Sequence, residues 1–110
     1  DLGANWGNTV VLAMTEFGRT ARENGTGGTD HGTGGLMVMA GGAVRGGRVY
    51  GDWPGLAEEN LYAGRDLMPL TDVRSYAGAA IAGQFGGPKR ALDDVIFPGL
   101  RIEKMPGILL

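Results

Sequence analysis

The sequence predicts an α/β fold in which helix covers part of a parallel sheet. Three observations carry this expectation. Two short runs, Thr9-Val10-Val11-Leu12-Ala13-Met14-Thr15 and Leu36-Met37-Val38-Met39-Ala40, are apolar on both faces, as strands buried in a parallel sheet are. A long connection, residues 16–35, separates them and is no hairpin turn. Val73, Tyr76, Ala77, Ala80 and Ile81 then recur at helical spacing and form one apolar stripe.

Each element follows from local chemistry. The first strand, 9–15, carries β-branched residues and ends at Glu16-Phe17-Gly18. Residues 19–35 read as loop from their Gly, Thr, Asn and Asp content. The second strand, 36–40, is closed by Gly41-Gly42. Arg45-Gly46-Gly47-Arg48 reads as a turn between short extended pieces, residues 51–55 as another turn, and residues 56–60 as one helical turn. The long helix is expected over 71–85, with Thr71 as N-cap and Asp72 at the positive end of its dipole. Gly86-Gly87-Pro88 stops it. Pro88 can open a second short helix over 89–95, which Phe97-Pro98-Gly99 breaks. Ile108-Leu109-Leu110 reads as an edge strand.

Composition narrows the function classes. The 110 residues allow one domain at most. The chain opens at Asp1 rather than Met and is expected to be part of a longer protein. A net charge of −2 speaks against a nucleic-acid or polybasic membrane surface. No cysteine is present, which removes disulfides and thiolate metal sites. No apolar run approaches the ~20 residues of a membrane span. Glycine supplies 22 of 110 residues against a usual share of roughly 7%. Aliphatic runs persist beside it, so the excess marks tight loops shaped by backbone rather than a linker.

One constellation carries chemistry. Thr15-Glu16-Phe17-Gly18-Arg19-Thr20 is followed by Asn24-Gly25-Thr26-Gly27-Gly28-Thr29-Asp30-His31-Gly32, and His31 is the only histidine. Glu16, Asp30 and His31 have the donor atoms of a divalent-metal site, with Glu16 at the end of one expected strand and the Asp-His pair in the glycine loop that the next strand anchors. An ordinary reading stands beside this one: Asp30 as a turn residue, and Glu16 as a salt-bridge partner of Arg19 or Arg22. Arg19 has the planar fork that suits phosphate or sulfate. Three rival motifs are weaker. The glycine loop is a single copy, off in spacing, of calcium-binding nonapeptide repeats. Residues 41–47 are followed by no Gly-Lys-Ser/Thr and are not a phosphate-binding Walker loop. Tyr50 and Trp53 read as packing or pocket residues. No Gly-x-Ser-x-Gly elbow exists, so a self-contained hydrolytic triad is not expected.

These residues resemble a known family. Thr-Glu-Phe-Gly-Arg-Thr, then Asn-Gly-x-Gly-Gly-x-Asp-His-Gly, then Gly-Gly-Ala-Val-x-Gly-Gly-x-Val-Tyr-Gly, is similar to the family called domain of unknown function 1501. Leu70-Thr71-Asp72-Val73-Arg74 and Phe97-Pro98-Gly99 resemble its later parts. The likeness runs from about Thr9 to Leu100. It implies an exported, periplasmic bacterial protein, often with a twin-arginine signal, in the alkaline phosphatase and sulfatase clan. It further implies that residues 1–110 are the carboxyl-terminal portion of one three-layer α/β domain of the alkaline-phosphatase type. On the clan's pattern Glu16 stands for a metal-binding Asp, and Phe17 stands where a ligating His is usual. His31 resembles the His that precedes the next strand. A second alignment sets Asp30-His31-Gly32 on the Asp-His-Gly motif, and both keep His31 as a ligand. The clan's nucleophile would lie in the amino-terminal part of the same protein, which is the first expected partner.

Two functions follow as expectations. One is a hydrolase of phosphate or sulfate esters, small or polymeric. It would use zinc, manganese, calcium or magnesium held by Glu16, Asp30 and His31, with Arg19 steadying the anion. The residues of this chain alone would then turn over no ester. The other is an exported binding or structural protein that keeps the fold without a complete metal centre, which Phe17 favours.

Overall fold

The structure, a computed structural model, describes residues 1–100 and 106–110. It mixes helix with two small antiparallel sheets, so the class is α/β in content. The chain divides into two compact units: Asp1–Ala13, Val38–Val49 and Asp72–Leu110 form unit 1, and Met14–Met37 and Tyr50–Thr71 form unit 2.

Unit 1 begins with a 3-10 helix, Gly3–Asn8, which the sequence reading left unassigned. Strand β1 (Val11–Ala13) pairs with a later strand, Val38–Ala40, as Val11↔Ala40, Leu12↔Met39 and Ala13↔Val38. The expected runs are therefore neighbours, but each keeps only three residues as strand and the pairing is antiparallel. This corrects the expected parallel sheet. Among the described residues no strand pair is parallel. A parallel pair needs a crossover, usually a helix. Residues 14–37 supply none and belong instead to unit 2, after which the chain returns in the opposite sense. Burial is also less than expected: Leu12 and Met39 are half-buried, while Val11 and Val38 are exposed by 45% and 55%. Gly41 ends the second strand at φ +138°, and a Cβ there would overlap the Thr9 carbonyl.

The long helix of unit 1, α1 (Val73–Phe85), lies where periodicity placed it. Its N-cap is Asp72 rather than Thr71, with the carboxylate accepting from Arg74 N–H at 2.9 Å. Gly86 follows its last turn at φ +66°, a conformation that favours glycine. The buried face is Ser75, Ala77, Gly78 and Ala80, while Val73 is exposed. The helix thus turns its small residues inward, and Gly83 meets the Leu109 side chain directly. After Pro88, one turn of helix, α2 (Lys89–Ala91), passes into a π-helical turn at Leu92–Ile96. The core of unit 1 is Ala77, Ala80, Leu92, Leu100 and Ile108, the last only 1% exposed. The tail pairs through a Val44–Leu109 bridge, with Arg45 N–H on Ile108 O and Leu110 N–H on Ala43 O. It is the short edge contact expected of it.

Unit 2 holds the loop that carries the chemistry. Strand β2 (Gly18–Arg19) pairs antiparallel with β3 (His31–Gly32), in register Gly18↔Gly32 and Arg19↔His31. With them placed, the strand at Val38–Ala40 is β4. Strand β2 runs on into Thr20, whose N–H reaches Asp30 O at 3.0 Å, while an isolated bridge joins Thr20 to Asp66. Residues 62–66 fold back tightly, with Ala63 at φ +51° and Gly64 at φ +64°. A 3-10 turn at Glu58–Asn60 meets the expected helical turn. Leu61, Thr20 and Asp66 are the buried centre of this unit. No helix among the described residues is long and apolar enough to cross a membrane.

Candidate anion-binding site

Close packing of glycines sets the geometry of β2 and β3. A Cβ on Gly18 would strike the Gly34 carbonyl, and one on Gly32 would lie 2.7 Å from the backbone of Arg19. No side chain fits between these strands, so the backbones approach each other and the register is fixed.

That register distributes the side chains. Successive residues of a strand face opposite sides. Arg19 and His31 therefore share one face, which Phe17 joins through its ring contact with His31, and Thr20 and Asp30 share the other. The Thr20 N–H to Asp30 O bond marks Thr20↔Asp30 as the hydrogen-bonded pair. By the alternation of an antiparallel ladder, Arg19↔His31 is the other type, in which side chains stand closer. The Phe17 and His31 rings stack with centroids 3.7 Å apart and planes 17° apart. Arg19 is exposed and forms no ion pair among the described residues.

The register puts two of the expected ligands, Asp30 and His31, on opposite faces. His31 lies on the Phe17 face. Asp30 lies on the opposite face, where its carboxylate accepts from Asn24 Nδ2 at 3.0 Å. Glu16 is exposed at a bend just before Phe17. Among the described residues no group of three or more His, Cys, Asp or Glu side chains stands close enough to hold a metal ion. A three-ligand divalent centre needs donors converging at about 2 Å from one point, and Glu16, Asp30 and His31 are not assembled as such a group here.

The loop has its own organiser, which sequence reading passed over. Asn24 Oδ1 accepts from Thr26 N–H at 3.0 Å, Thr26 O–H at 2.8 Å and Gly28 N–H at 3.0 Å. The turn chemistry considered for Asp30 is thus performed by Asn24. The signal was present: Asn before Gly and Thr is a strong Asx-turn start. Thr20 Oγ1 accepts from Asp30 N–H and donates to Arg22 O, tying the loop's two ends. Asp66, buried to 4% exposure, is held by Arg65 at 3.0 Å and Thr33 at 3.4 Å. Arg22 pairs with Glu58 at 2.9 Å, not with Glu16. Trp53 is 68% exposed. A shallow concavity of about 490 Å³ in unit 1, bordered by Asn8, Gly42, Gln84 and Leu109, contains none of the residues singled out from sequence.

What unit 2 presents chemically is one face bearing a guanidinium without an acidic partner among the described residues, an imidazole at the opposite register position, and an aromatic ring stacked on that imidazole. The family model described as Protein of unknown function (DUF1501) matches residues 1–96. No curated protein and no solved structure matches the chain.

Proposed function

The chain belongs to the DUF1501 family, proteins of unknown function, and we propose that it binds the tetrahedral oxyanion of phosphate or sulfate esters through Arg19. The observation that supports this is Arg19 itself: held in β2 by the glycine-packed register, exposed, and paired with no acid among the described residues. A planar guanidinium in that setting offers parallel N–H donors to two oxygens of one anion. The exported, periplasmic setting and the relation to alkaline phosphatases and sulfatases belong to the same proposal. They rest on the motif around Glu16 to Gly32, and the antiparallel pairs lend them no support.

A second reading keeps the ligand and adds chemistry: hydrolysis of the bound ester with a divalent metal. One observation favours it. The Asp30 carboxylate is exposed and held by an amide rather than by a cation, so it remains free to take a positive charge. The nucleophile would come from outside these residues.

Calorimetry with inorganic phosphate and sulfate tests the binding role. Saturable binding by the wild-type chain is expected, with a loss of roughly tenfold or more in Arg19→Gln, the worth of one or two charge-assisted hydrogen bonds. Equal binding by both proteins removes Arg19. Aryl phosphate and aryl sulfate assays with added zinc or manganese separate the readings. No turnover is expected, and turnover that persists through purification overturns the non-catalytic reading.

A further inference from the structure

We infer that His31 is the second contact of the anion bound by Arg19, with Phe17 as its positioning residue, rather than a metal ligand; the inference rests on the oxyanion-binding reading above. Four features carry it. Arg19 and His31 are cross-strand partners in the closer type of antiparallel pair, so their side chains leave the strands from adjacent points on one face. Two nitrogen bases directly opposite each other are an unfavourable pair whenever both are charged. An anion between them removes that cost. The acids nearby do not fill this role: Asp30 is on the other face with Asn24, Asp66 is taken by Arg65 and Thr33, and Glu16 makes no ion pair among the described residues.

The Phe17 ring supplies the fourth feature. Stacked at 3.7 Å and 17°, it restricts rotation of the imidazole about its side-chain bonds. One ring face of His31 is covered, while the residue as a whole remains exposed. A neutral imidazole still offers one N–H donor, so the contact requires no change of charge. Holding the ring in place before the anion arrives lowers the ordering cost of binding. A metal ligand needs converging partners, which this face lacks. A tetrahedral oxyanion needs neighbouring donors, and Arg19 and His31 leave adjacent positions of this face.

The test uses the fact that His31 is the only histidine, so its ring carbons and nitrogens give one set of NMR signals. Inorganic phosphate and sulfate are titrated at constant pH and ionic strength, with sodium chloride as control, into wild type, Arg19→Gln, His31→Gln and Phe17→Leu. Saturable movement of the imidazole signals is expected in wild type and not with chloride. Phosphate affinity by calorimetry is expected to fall roughly tenfold in His31→Gln, and by a smaller factor in Phe17→Leu with the Arg19 signals still responding. Phosphate binding that depends on Arg19 but leaves the His31 ring unmoved overturns this inference and spares the oxyanion reading. Loss of no affinity in Arg19→Gln overturns both. Phe17→Tyr, which keeps the stack, is expected to bind as wild type; weakening there equal to that of Phe17→Leu overturns the positioning role.

Discussion

Asn24 shows how an uncharged side chain governs a loop whose interest on paper lay in its charges. Its amide oxygen gathers three donors from Thr26 and Gly28, and its nitrogen holds Asp30. Asn24→Ala removes all four bonds. Exposed hydrogen bonds contribute little singly, so the expected loss is about 1 kcal/mol, read by urea denaturation. Faster hydrogen exchange at Thr26 and Gly28 should accompany it, with Leu61 unaffected. Undiminished protection at those amides would show that the glycine backbone holds the loop unaided. At this scale the sequence was legible in residue type and illegible in partnership. Glu16, Arg19, Asp30 and His31 stood out, but which of them meet depends on strand register, and register depends on glycine contacts between residues far apart in the chain. Phe17 was legible only as a departure from a pattern. Its stack on His31 is a fact of geometry.

Helix α1 was the most legible element, because spacing, an N-cap and a Gly-Gly-Pro stop agree over one local stretch. Its cap yields a pH prediction. The Arg74 side chain bonds Asp72 and holds its carboxyl below the ordinary value of 3.8, against the opposing effect of partial burial. A depressed folded-state pKa contributes stability that is present above the unfolded value and lost as pH falls through the folded one. Asp72→Ala should therefore lower stability by about 1 kcal/mol near neutral pH, and the gap should close as pH drops below 3.8. Denaturation midpoints of both proteins across that range check this, and a gap that persists in strong acid would assign the cap to something other than the carboxylate. The strands were less legible. An apolar run of five to seven residues states that a strand is favoured and says nothing about the direction of its partner. The antiparallel pairing of β1 with β4 came from what lies between them. In α1, periodicity located the helix and two of its inward residues, Ala77 and Ala80, but not Ser75 and Gly78, small residues that hydrophobic spacing does not register and that permit a close approach.

At the scale of the molecule, stability is concentrated in few side chains. Ile108 is the large residue buried below 2% exposure among those described. Ile108→Ala is expected to cost about 2–5 kcal/mol, a large share of what a small domain possesses. Exchange protection in α1 should collapse, while the Thr20 and Ala21 amides of unit 2 keep theirs. Simultaneous loss in both units would mean that the two unfold as one. The interleaving of the units also bears on how the chain is made. Every residue of unit 2 lies between Met14 and Thr71, whereas unit 1 needs Asp72–Leu110 to close on Asp1–Ala13. During synthesis, which proceeds at roughly 5–20 residues per second, the glycine loop and its strand pair have all their parts several seconds before the long helix exists. The ribosome thus presents unit 2 first, with β1 and β4 waiting on a helix that has yet to be translated.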